Sequence, residues 1–488
     1  MQRIIKLLNK YIDQIKRINN IEYIILSLML TLGLIVRLYK INSPIADWHS
    51  FRQADTASVT RTFVDKGINI FIPKYHDVSR VQSGLPNPQG YRFVEFPLYN
   101  AIHAILVKNA PIFTLEVWGR LLSIFSALLT SFFIFLIGKK LYGKWYGLTA
   151  SFFYLILPFN IYFTRTVLPE PMAIMFALAS LWFFLIYTEK SKVFYLYLSS
   201  LSLSFGILIK PYVIFYGVVL VYYFYNKFGI RNLIRKKDLI ISLLIILLPF
   251  IAWRIWMQHF PEGIPFWKWT FNGDGIRFRP AFWRWIFGER LGYLILGIWG
   301  LVPFIFGILS LKKKDWLLIA SLIGSFLYVA TFATANVRHD YYQVLVIPAL
   351  CFTLASGVLT MWNGNYFNKI VCRLILILSL FLALLIGATE AREFYKINRP
   401  EIVSAGEAVD RLTAKNSLVI AAYNGDTAFL YQTKRLGWPV VELPINELIQ
   451  EGAEYYASVN FNDPQTQEFM EKFDVIEKTD KYVVIKLK

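Results

Sequence analysis

The chain has 488 residues, of which 56% are hydrophobic, 17% aromatic and only 17% charged, and its formal net charge is +19. Soluble globular chains carry roughly 45–50% apolar and about 25% charged residues, so an ordinary soluble domain is excluded. The apolar residues come in blocks of about 20, enough to cross roughly 30 Å of hydrocarbon. The basic excess therefore reads as membrane topology, and no nucleic acid is expected as a partner.

Residues 1–20 place Ile4, Ile5, Leu8, Ile12 and Ile15 among basic residues, the pattern of an interfacial amphipathic helix on an anionic, cytoplasmic membrane face. A first span near 21–39 follows without a small-residue cleavage site, so an uncleaved anchor is expected. Further apolar runs fall near 117–138, 145–163, 170–188, 193–209, 211–226, 238–256, 291–311, 315–333, 341–361 and 370–388, which makes eleven spans. Cys351 and Cys372 lie in or beside these runs with no partner at metal-ligand spacing, and read as two lipid- or core-facing thiols.

Threading the spans alternately from a cytoplasmic N-terminus puts 20 Lys and Arg on the inside segments, whereas the short outside turns hold only Arg165, Lys210 and Arg338. That asymmetry predicts an integral plasma-membrane protein with its N-terminus cytoplasmic and its C-terminus external. The expected domains are the interfacial helix 1–20, a transmembrane domain 21–389 with external loops 40–116 and 257–290, and an external domain 390–488. The last alternates strand-like stretches (417–423, 453–460, 481–488) with helical ones, the pattern of a small α/β domain. Within it, 423–438 reads as a turn, a helix and another turn, with nothing catalytic. The predicted fold is all-α and polytopic, with amphipathic helices in the external loops and this α/β domain appended.

With that orientation the unusual polar residues gather on the external side: Asp47, His49, Arg52 and Asp55 after span one, Arg165 and Glu170 after span three, Lys210 after span five, and Arg338, His339 and Asp340 after span nine. Taken singly, each has an ordinary reading. Glu170 suits a helix N-terminus, Lys210 a snorkelling helix end, Arg338 with Asp340 a solvated pair, and Asp55 with Arg61 the wet face of an interfacial helix. Four turns converging on one face with both signs of charge point instead to an active site, since ionisable groups near membrane depth are costly. A carboxylate there can take a proton from an acceptor hydroxyl, while cations or a metal stabilise a departing phosphate. Trp267, Trp269, Trp283 and Trp285, interleaved with Lys268, Arg277, Arg279 and Arg284, suit the headgroup layer. No Gly-rich nucleotide loop is present. A polytopic transporter or lipid-linked sugar flippase is the alternative, although transporters gather their charges at the bilayer midplane.

Four segments carry a resemblance. They are D-x-H-S-[FW]-R-Q-x-x-T-A from Asp47 to Ala57, E-F-P-L-Y from Glu95 to Tyr99, L-P-E-P from Leu168 to Pro171, and [HR]-x-Y-Y from His339 to Tyr342 with Pro348 following. In this order the chain resembles the bacterial C-type (GT-C fold) membrane glycosyltransferases, related to protein O-mannosyltransferases and the lipid A aminoarabinose transferase. The resemblance covers roughly residues 20–390. It implies eleven to thirteen spans and transfer of a sugar, with inversion, from a polyprenyl-phosphate donor to a glycan, lipid or protein acceptor, with membrane lipids as further partners. Carried across, Asp47 becomes the catalytic base, with Asp55 as its competitor, and Glu170 a second acidic residue that orients the acceptor or supports a metal. Lys210, Arg338, His339 and Arg52 become donor-phosphate ligands, and His49, Glu95, Tyr341 and Tyr342 supporting residues. A divalent ion, Mg or Mn, on Asp47, Glu170 and Glu95 is left open as cofactor. Glu95 stands where the aminoarabinose transferase has a lysine, so that role is not carried over: either Arg92, Lys210 or Arg338 supplies the charge, or Glu95 helps hold a divalent cation. The sugar, the acceptor and the prenyl length are not legible.

Overall fold

The computed structural model describes residues 20–229, 237–312, 314–364 and 368–488. The interfacial helix expected for 1–20 therefore lies outside the described residues, apart from Asn20. All eleven apolar runs are helical. Among the described residues five helices are long and apolar enough to cross a membrane unbroken, namely Leu115–Tyr142, Glu170–Lys190, Lys237–His259, Asp340–Asn363 and Lys369–Phe394.

The labelled helices of the membrane part are α1 (Ile21–Arg37), α2 (Ser50–Lys66), α3 (Leu98–Asn109), α4 (Leu115–Tyr142), α5 (Lys144–Ile156), α6 (Pro158–Phe163), α7 (Glu170–Lys190), α8 (Val193–Ile209), α9 (Gly217–Phe228), α10 (Lys237–Trp256), α11 (Leu301–Leu309), α12 (Trp316–Thr331), α13 (Ile347–Asn363) and α14 (Lys369–Phe394). α7 is the hub, packed on α4 and α8, while α5 and α11 both pack on α13. Close approach is set by small residues, as is usual between membrane helices. A Cβ on Gly357 of α13 would lie 1.7 Å from the Pro303 carbonyl oxygen of α11.

The run 145–163 is not one helix. Pro158 lacks an N–H and splits it into α5 and α6, which strands carbonyls at the break. The buried Arg37 reaches into the break and donates to Leu155 O at 3.0 Å, Tyr154 O at 3.3 Å and Thr164 Oγ1 at 2.9 Å. The run 291–311 is likewise two pieces, a π-helical stretch Trp285–Ile295 and α11, separated by a turn in which Ile298 is left-handed.

The first long loop holds α2 and α3. α2 does not present a wet face. From Arg52 to Thr60 every side chain is buried, Gln53, Asp55, Thr56, Ser58 and Thr60 included. The interfacial reading of Asp55 is thereby overturned, because α2 is sandwiched between the membrane bundle and the C-terminal unit rather than resting on lipid.

The C-terminal unit follows α14. It opens with α15 (Glu401–Leu412) and contains β1 (Leu418–Ala422), α16 (Thr427–Thr433), β2 (Leu436–Trp438), β3 (Ala453–Ser458), β4 (Asp474–Lys478) and β5 (Val483–Lys486) in one sheet of order β2-β1-β3-β5-β4. β2, β1 and β3 are parallel, whereas β5 is antiparallel to both β3 and β4. The end of 423–438, read as a turn, is strand β2, too short at three residues to show alternation. At its free edge the first long loop joins the sheet: Val78 N donates to Gly437 O at 2.9 Å and Gly437 N to His76 O at 3.0 Å.

Candidate active site

Helix breaks at one end of the bundle put polar side chains together. α8 stops at Ile209 because Pro211 has no N–H and disfavours helical conformation in the residue before it. Lys210 is accordingly extended, with φ −148° and ψ 105°. Pro169 and Pro171 bracket Glu170 at the start of α7, where the helix dipole favours an acid. His339 is extended between the short helix Ala333–Arg338 and the turn Asp340–Val346. His49, just ahead of α2, holds a left-handed φ of 54°, a strained choice for a non-glycine.

These breaks assemble a buried ionic network. Lys210 Nζ lies 2.6 Å from Glu170 Oε1 and donates to Glu95 Oε1 at 3.1 Å. Glu95 is also paired with Arg52. Burial would push the Glu95 carboxyl up, but Arg52 and Lys210 outweigh it and hold it at about 2. The close Glu170–Lys210 contact lacks hydrogen-bond alignment, and neither Glu170 oxygen has a hydrogen-bond partner among the described residues. Arg92 pairs with Asp55 at 2.5 Å. A separate knot closes the turn after α12: Asp340 accepts Trp48 Nε1–H at 2.7 Å, lies 3.5 Å from His49 Nε2 and pairs with Arg290.

The network forms the floor of a cavity of about 1260 Å³. Its charged wall is Arg52, Asp55, Arg92, Glu95, Lys210 and Arg254, and its aromatic wall includes Tyr212, Trp267, Trp269, Tyr341 and Tyr342. Three of the four cations face carboxylates. Arg254, near the end of α10, has no carboxylate partner among the described residues and lies 5.9 Å from the Trp267 ring centre. Arg92 keeps Nε and Nη1 buried without a partner among the described residues. An apolar groove of about 1130 Å³, lined by Phe71, Phe96, Leu208, Pro249, Trp253 and Trp256 among others, lies between the loop and α10.

Of the residues expected from sequence, Arg52, Glu95, Lys210, His339, Tyr341 and Tyr342 line this cavity, and Glu170 stands behind Lys210. Asp47 does not line it. Its carboxylate accepts from Gln53 at 2.8 Å and lies 3.9 Å from the fully buried Arg165, on the side of the α6–α7 turn. Arg338 is exposed and does not line the cavity, its guanidinium 5.7 Å from the Trp269 ring centre. His49 supports Asp340 rather than the cavity. Burial and His49 hold the His339 imidazole at about 4, so at neutral pH it is uncharged and not a cation. Asp47, Glu170 and Glu95 do not fit a shared metal ion. Lys210 sits between the two glutamates, Asp47 faces Arg165, and among the described residues no three His, Cys, Asp or Glu side chains converge on a metal site.

Sequence reasoning passed over Arg254 and Thr427, and kept Asp55 only as the competitor of Asp47 for the base role. Arg254 looks like a helix-end arginine and Thr427 like a turn residue, so neither carries a local signal.

With this geometry in view, the comparisons are consistent. The family model for dolichyl-phosphate-mannose-protein mannosyltransferase matches residues 110–256, from the end of the first loop through α10. ArnT from Cupriavidus metallidurans bound to undecaprenyl phosphate superposes with a TM-score of 0.62 at 13% identity, covering 94% of this chain and 97% of that one. Its apo form gives 0.62 at 14% over the same shares. The Archaeoglobus fulgidus oligosaccharyltransferase, solved with zinc and sulfate, gives 0.57 at 11%, covering 89% of this chain and 67% of that one. No curated protein matches the sequence. At these identities the likeness is one of fold, and the chain has the fold of the C-type membrane glycosyltransferases. Within that fold it resembles the protein mannosyltransferases, as the four segments implied.

Proposed function

We propose that the protein transfers one sugar from a polyprenyl-phosphate donor to an acceptor hydroxyl, with inversion, at the external face of the plasma membrane. The observation that carries this reading is the single cavity on which Asp55, Glu95, Arg52, Arg92, Lys210 and Arg254 converge beside an apolar groove. A phosphate on a lipid needs cations at the end of a greasy channel, and this arrangement supplies both. The ArnT structure with undecaprenyl phosphate adds support for a lipid-linked donor. The charge asymmetry of the loops supports a cytoplasmic N-terminus and an external C-terminal unit.

In this mechanism Arg254 takes the donor phosphate, Arg92 holds Asp55, and Lys210 and Arg52 hold the floor neutral through Glu95 and Glu170. The prenyl tail lies along the groove at Phe96 and Trp253. Asp55 is the base, in place of the Asp47 expected from motif position, because its carboxylate lies on the cavity wall. The acceptor O–H proton passes to Asp55, the oxygen bonds to the anomeric carbon, and the bond from that carbon to the phosphate oxygen breaks to release polyprenyl phosphate. Glu170, buried behind Lys210, holds that lysine in place on the cavity floor.

The test uses protein in lipid nanodiscs with radiolabelled polyprenyl-phosphate sugars, following release of lipid phosphate and transfer of label. Turnover is expected in wild type and lost in Asp55→Asn with donor still bound. Full turnover in Asp55→Asn alongside an inactive, donor-binding Asp47→Asn would return the base role to Asp47. Movement of labelled lipid between leaflets without any transfer would replace the transferase with a flippase.

A further inference from the structure

The C-terminal unit reaches the cavity wall through one side chain. Thr427, the first residue of α16, donates its Oγ1–H to Asp55 Oδ1 at 2.7 Å, across 372 positions of sequence. The other carboxylate oxygen, Oδ2, faces Arg92 Nη2 at 2.5 Å. Thr427 is held there by a clamp between α16 and α2. The Arg61 guanidinium lies 3.9 Å from the Tyr431 ring centre and donates to Tyr431 O at 2.9 Å. Tyr431 Oη–H donates to Glu116 at 2.5 Å, and Glu116 pairs with Arg61 at 3.2 Å. Gln432 donates to Ile45 O at 2.8 Å. The carboxyl ends of the parallel strands, where open α/β sheets commonly take ligands, are thus turned toward the first long loop, with Gly425 against Val81.

What the threonine does follows from its competitor. Arg92 Nε and Nη1 are buried and unpartnered, so a second N–H is available to the Asp55 carboxylate. A guanidinium and a carboxylate favour the two-pronged fork, and the terminal torsion of an aspartate is broad enough to reach it. In the fork both oxygens turn to Arg92 and away from an acceptor. The Thr427 hydroxyl holds one oxygen out of it.

We propose that Thr427 is a positioning residue for Asp55, so that the C-terminal unit completes the active site by keeping the carboxylate single-pronged on Arg92 and open to the acceptor. This rests on Asp55 being the base. The experiment compares Thr427→Val, which keeps the shape and removes the donor, with Thr427→Ser, which keeps the donor, in the nanodisc assay. Thr427→Val is expected to lose about tenfold or more in kcat, as small misplacements of reacting groups do. Its donor KM should stay within about twofold and its unfolding midpoint close to wild type, and Thr427→Ser should recover most of the rate. Thr427→Ala replaces the valine variant if that one does not accumulate, with the same expectation. A donorless variant with wild-type kcat, or a serine variant as slow as it, overturns the proposal. Asp55→Asn separates the two levels. If it is inactive while Thr427→Val is normal, only the positioning role fails. If it keeps full turnover, the base assignment fails and the positioning role with it.

Discussion

Lys210→Met removes the cation that bridges two buried glutamates. Lys210 Nζ is 2.6 Å from Glu170 and 3.1 Å from Glu95, and Glu170 is only 1% exposed. At an effective dielectric of about 20 each contact carries roughly 5–6 kcal/mol of Coulomb attraction before desolvation is subtracted. Deleting one partner of a buried pair costs about 3–5 kcal/mol, because the remaining charge is stranded. Glu95 keeps Arg52, so the stranded charge is that of Glu170. Lys210→Met should therefore lose about 3–5 kcal/mol, and Glu170→Gln alone about 1–2 kcal/mol, since Lys210 keeps Glu95. The double variant should return to within about 2 kcal/mol of wild type, a strong coupling between adjacent sites. Unfolding by sodium dodecyl sulfate titration in mixed micelles measures all four proteins. A Lys210→Met loss below about 1 kcal/mol, or a double variant no more stable than Lys210→Met, refutes the reasoning that Glu170 is the dependent charge.

Two further outcomes are expected. Burial, with Asp55 nearby, pushes the Asp426 carboxyl from 3.8 up to about 6. The folded protein thus keeps a proton that the unfolded chain has lost between those values, and stability falls as pH rises through 6. Asp426→Asn retains the cap on Ala428 N and should be more stable than wild type by roughly 1–3 kcal/mol at pH 8. It should be indistinguishable near pH 4, as thermal unfolding at the two pH values will report. Gly357→Ala puts a methyl into the Pro303 carbonyl oxygen of α11 and should cost about 3 kcal/mol or more by forcing α11 and α13 apart. An unchanged unfolding midpoint would contradict that close approach.

Hydrophobic block length was enough to place all eleven helical runs, because transfer of about 20 apolar residues into lipid is a local, additive property. Prolines marked the breaks as well. Pro211 explains Lys210, and the Pro169–Pro171 pair explains Glu170. Short apolar stretches likewise announced β1, β3 and β5, while β2, three residues long, and β4, an edge strand exposed at most positions, offered too little pattern to read.

The roles within the cluster were a different matter. Asp47 and Asp55 are both buried acids on one short stretch, and their spacing says nothing about which carboxylate meets the cavity. That choice depends on Arg165, which takes Asp47 to the α6–α7 turn, and on Arg92 and Thr427, which hold Asp55 at the wall. Arg338 and Arg254 look alike as helix-end arginines, yet only Arg254 lines the cavity. Composition and periodicity, being sums over neighbours in the chain, determined that this is a helical membrane protein and which end of it gathers charge. Which charges neutralise one another, and which are left to meet a substrate, is set by contacts between residues far apart in the chain, 37 positions for Arg92 and Asp55 and 115 for Lys210 and Glu95. Those contacts exist only once α2, α8, α10 and the C-terminal unit have packed together.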